Sequence, residues 1–76
     1  MKWLKLSNDP EAWRANGNKA VYTVYVDGPP TRARWTAYQQ SLGASPIQPV
    51  GEQEYYPSKV AAVEACEVEN NPYPRQ

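Results

Sequence analysis

Apolar residues recur along this chain with two periods, one near two and one near 3.6, and each predicts a different element. Residues 20–26 read Ala-Val-Tyr-Thr-Val-Tyr-Val, β-branched or aromatic nearly throughout, and predict a strand. Asp27-Gly28-Pro29-Pro30 closes that strand with turn chemistry. Residues 31–40 alternate, with Arg32, Arg34, Thr36 and Tyr38 on one face. Ala33, Trp35 and Ala37 fall on the other face, which is assigned to the core, so the two strands predict an antiparallel hairpin. Upstream, Trp3-Leu4-Lys5-Leu6 alternates only briefly and predicts a short edge strand. Asp9 and Pro10 are placed to open a short helix over residues 11–15, which Asn16-Gly17-Asn18 ends, with Trp13 plugging one end of the core. Residues 41–51 read as a connection rich in Pro and Gly, and residues 52–56 as a third strand.

The period changes after Pro57. Ser58 suits an N-cap, residues 59–69 predict a helix, and Asn70-Asn71-Pro72 ends it. At 100° per residue, Ala61, Ala62, Ala65 and Cys66 share one side, opposite Glu64 and Glu67. Small residues there let the helix sit close on the sheet, against Trp35. Val60 and Val63 fall toward the charged side. The expected fold is α+β: a small antiparallel sheet of two to four strands with one C-terminal helix packed on one face. Residues 1–69 form the single domain and residues 70–76 a flexible tail.

Composition narrows the function classes. A chain of 76 residues makes one domain with a thin stability margin, and it has a single cysteine and no histidine to staple itself with a disulfide or a metal. That cysteine use fits a reducing cytoplasm, and no apolar run approaches the ~20 residues of a membrane span. Net charge is zero, yet residues 1–40 carry six basic against three acidic side chains, and residues 41–76 two against five. A bipolar surface follows, whose acidic end suits a basic partner.

Chemistry is poorly served. Without histidine, acid–base work falls to groups needing shifted pKa values in a pocket, and no glycine pattern of a nucleotide loop occurs. Cys66 lies on the face assigned to the core, where cysteine is a small packing residue. The chain is therefore not expected to be an enzyme, and no metal or cofactor is expected. Two binding surfaces remain. A protein partner is expected on the acidic helix, through Val60, Val63, Glu64 and Glu67. The alternative is nucleic acid on the sheet face, through Arg32, Arg34, Tyr25 and Tyr38, because basic and aromatic side chains on an open sheet neutralise phosphates and stack bases.

Tyr22-Thr23-Val24-Tyr25-Val26-Asp27-Gly28, Trp35-Thr36-Ala37-Tyr38, and Tyr56-Pro57-Ser58 leading into Ala61-Ala62 and Ala65-Cys66-Glu67 carry a resemblance. Over residues 20–69 the layout resembles small uncharacterised phage- and prophage-encoded proteins. Its strand–strand–strand–helix order is also similar to the arm-type DNA-binding domain of tyrosine recombinases. The first resemblance implies an accessory protein in the cytoplasm of a bacterial host, binding and modulating a host protein, with inhibition of a defence system as one such role. No membrane partner is expected, and the chain is expected as a monomer or homodimer.

Overall fold

Alternating burial organises the first two thirds of the molecule. The computed structural model describes residues 1–18, 20–41, 47–51 and 53–70. In chain order, β1 (Trp3–Asn8), β2 (Glu11–Asn16), β3 (Ala20–Asp27), β4 (Arg34–Ser41) and the two-residue β5 (Gln48–Pro49) form one sheet, followed by α1 (Lys59–Asn70). The five strands lie in the order β1-β2-β3-β4-β5, each pairing antiparallel with the next. The sheet is thus larger than the two to four strands expected, because one segment read as helix and one read as loop both join it.

β3 and β4 pair without interruption from Ala20↔Ser41 to Asp27↔Arg34. Ala20, Tyr22 and Val24 are buried while Val21, Thr23 and Tyr25 are half-exposed, the two-residue period of a sheet with one covered face. Gly28 turns the chain at φ 92°, and Arg32 N–H donates to the Pro29 carbonyl at 2.8 Å. That turn is a 3-10 helix, Pro30–Arg32, so β4 starts at Arg34 and Arg32 is not part of its alternation.

Glu11–Asn16 corrects the expected helix. Trp13 stands opposite Val24 and Ala15 opposite Tyr22, while Lys5 faces Trp13 on the other side. A helix of five residues closes almost no internal hydrogen bonds, whereas a strand between two partners satisfies its backbone on both edges. Residues 53–56 do not form the expected strand, and Glu52 lies outside the described residues. Only Tyr56 pairs, exchanging two backbone hydrogen bonds with Trp35 at 2.8 and 2.7 Å. The tail expected from residue 70 is helical at Asn70 and lies outside the described residues from 71 onward.

α1 crosses β3 and β4. Ser58 Oγ accepts from the Ala61 N–H at 3.1 Å, the expected cap. Ala62 and Cys66 are fully buried, Ala61 and Ala65 are half-buried, and Trp35 packs against the same cluster. Ala20, Tyr22, Val24, Ala37, Val50 and Tyr56 complete the core. Tyr56 Oη donates to the Val50 carbonyl at 2.6 Å, which ties the segment after β5 beneath the helix.

Burial pushes the Cys66 thiol from its ordinary 9.0 up to about 12, with Glu67 and Glu69 adding to the shift. A hydrogen bond to Tyr38, then burial, pushes the Tyr25 phenol from 10.0 up to about 12. Both folded values are raised, so their stabilisation is complete below the unfolded values and is lost as pH climbs through the folded ones. Between 9.0 and about 12 the unfolded chain releases protons that the folded chain keeps. The urea midpoint is expected to fall across that window, with a later onset in Cys66→Ala. A flat midpoint through the window contradicts the burial of these groups.

Candidate functional site

Val60, Val63, Glu64 and Glu67 stand at i, i+3, i+4 and i+7, a spacing that sets them in one stripe along α1. The stripe faces away from the centre of the helix–sheet contact. Val63 is half-buried against the core, whereas Val60 is 72% exposed and Glu64 is exposed. α1 makes its close sheet contacts with β3 and β4, so its flank toward β1 is offset from the first two strands. The result is a groove of about 440 Å³ with Trp3 of β1 on one side and these four residues on the other. All four side chains expected to bind a protein line it.

The groove is apolar along its length and acidic at its rim. Glu67 accepts from the Met1 ammonium at 3.2 and 3.3 Å through its two carboxylate oxygens. Glu64 makes no ion pair among the described residues. Among the described residues Lys59 is the only basic side chain lining the groove, and its ammonium lies over the Trp13 ring, 3.6 Å from the centroid. Lys5 approaches the same ring at 5.7 Å. Trp13 Nε1 donates to Glu11 at 2.7 Å. Trp3 Nε1, in contrast, is buried without an acceptor among the described residues.

The opposite face of the sheet carries the other set. Tyr25 and Tyr38 stack with centroids 5.8 Å apart and planes 20° from parallel, and Tyr25 Oη donates to Tyr38 Oη at 3.4 Å. The Arg34 guanidinium lies 3.6 Å over the Tyr55 ring. Thr36, which alternation places among these residues, is only 4% exposed, and its hydroxyl donates to the Glu54 carbonyl at 3.4 Å. Three of the four expected residues therefore share this face, while Arg32 sits in the 3-10 turn beyond the strand end. Each ring and the guanidinium already has an aromatic partner. A shallow hollow of about 180 Å³ nearby is bordered by Arg14, Thr23 and Tyr38.

Two contributors escaped sequence reasoning. The helix expected over residues 11–15 hides Arg14, which alternation through Trp13 and Ala15 turns to the face opposite them. Trp3 was read as part of an edge strand, and nothing local to Trp3-Leu4-Lys5-Leu6 indicates which helix flank it meets. Set against protein-family models, curated proteins and solved structures, the chain matches none of them.

Proposed function

We propose that this chain is a non-enzymatic protein-binding module whose groove between Trp3 and α1 receives a basic, aliphatic-bearing segment of another protein. The observation that carries this reading is the groove's composition: Trp3, Val60 and Val63 give it an apolar surface, and Glu64 and Glu67 give it a negative rim. Apolar contact supplies affinity, while the carboxylates select cationic partners and repel anionic ones. The ammonium of Met1 on Glu67 is a cation seated at one of those carboxylates, the kind of contact a partner lysine or arginine makes. The resemblance of residues 20–69 to phage-encoded proteins supports a bacterial host protein as partner, and modulation or inhibition of that protein as the role.

A selection of displayed random peptides tests the groove. Wild type is expected to enrich peptides pairing Lys or Arg with Leu, Ile or Val. Glu64→Lys/Glu67→Lys is expected to bind those peptides at least ~10-fold more weakly, since charge reversal replaces attraction with repulsion. Equal binding by the two proteins rejects the groove. The second reading, nucleic acid on the sheet face, draws support from Arg14, Arg34, Tyr25 and Tyr38 lying together there. Titrating salt against binding to short DNA and RNA separates the two: no binding at low salt, or a log–log slope near zero, removes it.

A further inference from the structure

β1 is the first strand of the sheet, and no described strand pairs with its outer side. An unpaired edge offers a row of N–H and C=O groups to any extended chain. Its far half is guarded. The register slips between Lys5 and Ser7, leaving Leu6 as an extra residue, and such bulges spoil pairing. The near half, from Trp3 to Lys5, keeps an unbroken register with β2.

The helix flank runs along this same half in the opposite direction. Lys59 lies over Trp13, the register partner of Lys5, while Glu67 holds the ammonium of Met1. Eight helical residues at ~1.5 Å each advance about 12 Å, and four extended residues at ~3.3 Å advance about 13 Å, so flank and strand stay in step. A strand added to β1 stands ~4.8 Å beyond it, with every second side chain pointing to the helix side of the sheet. Those side chains repeat every ~6.7 Å, close to the ~6 Å between Val60 and Glu64 along the helix.

Building on the groove reading above, we infer that the partner binds by strand addition: an extended segment pairs with the Trp3–Lys5 edge and turns residues i and i+2 to the helix side, against Trp3 at the outer wall of the groove. One of the two is a large aliphatic residue covering the outer face of Trp3. The other is Lys or Arg, whose methylene stem passes over Trp3 and carries its charge toward Glu64 or Glu67. Main-chain hydrogen bonds give the affinity, and the groove chooses the sequence.

The probe is the tightest peptide from the displayed-library selection, remade with a single N-methyl group at each backbone amide in turn. Strand addition predicts alternation, with methylation at every second position weakening binding at least ~10-fold and the intervening ones near neutral, because only alternate amides face the β1 edge. Hydrogen exchange is expected to show new protection at alternate amides of β1 when the peptide binds. A peptide that depends on Glu64 and Glu67 but shows no alternation, or whose anchors fall at i, i+3 and i+4, overturns strand addition and leaves the groove reading standing. If no selected peptide depends on those glutamates, both fall. A concentration-dependent dimer in sedimentation that peptide dissociates assigns the edge to a second copy of this chain and overturns the proposal.

Discussion

Tyr22→Ala is expected to remove a large share of this protein's stability. Tyr22 is 1% exposed in the middle of the central strand, opposite Ala15 on one side and Gln39 on the other. Its register partner Ala15 and the buried Ala20, Ala37, Ala62 and Cys66 of the core are small, which leaves the space of its ring hard to fill. Truncating a buried aromatic ring costs about 3–5 kcal/mol when the site cannot collapse. At roughly 0.05–0.15 kcal/mol per residue, a chain of this length holds only about 4–11 kcal/mol in total. Urea denaturation followed by tryptophan fluorescence measures the loss. Tyr22→Phe keeps the ring and serves as the control, with a far smaller change. A midpoint shift equivalent to less than about 1 kcal/mol for Tyr22→Ala means that the site repacks, and the account of the core then fails.

Gly17→Ala has the next largest expected effect, about 1–3 kcal/mol, through crowding rather than loss. Gly17 sits in the turn between β2 and β3, its N–H donating to the Ala20 carbonyl at 2.8 Å. An added methyl group meets the Asn70 side chain and lies 2.5 Å from a ring carbon of Tyr22. The amide of Asn70 can swing aside, although it then gives up its 2.6 Å hydrogen bond from the Asn18 N–H. The Tyr22 ring is packed on all sides and cannot. Measuring Gly17→Ala in an Asn70→Ala background separates the two contacts. Most of the loss is expected to persist there; should it vanish, the amide and not the ring is the obstacle.

Legibility followed the length of each periodic run. β3, β4 and α1 carry eight or more residues of one period, enough to separate strand from helix, and each was found within a few residues of its bounds. Glu11–Asn16 has six residues, with Trp13 and Ala15 as its inward pair, too few to choose between periods. The preceding Asp-Pro is a good helix opening and favours the wrong element. β5 has no signal of its own, since two residues, one of them a proline, become a strand only because Tyr38 and Gln39 lie beside them. The same holds for Tyr56 against Trp35.

The binding surface divides along the same line. Local chemistry placed Val60, Val63, Glu64 and Glu67 on one stripe, because helical geometry is set by the backbone alone. The opposing side of the groove came from Trp3, more than fifty residues away in sequence, and no periodicity reaches that far. What the amino-acid order determined by itself was therefore each long element, its cap, and which face of it avoids water, all consequences of dihedral preference and hydrophobic spacing. Only the assembled structure decided that the helix crosses β3 and β4 and leaves a gap beside β1. That offset depends on alanines and a cysteine fitting over Tyr22 and Val24, a match of shapes between distant segments that no single stretch of chain encodes.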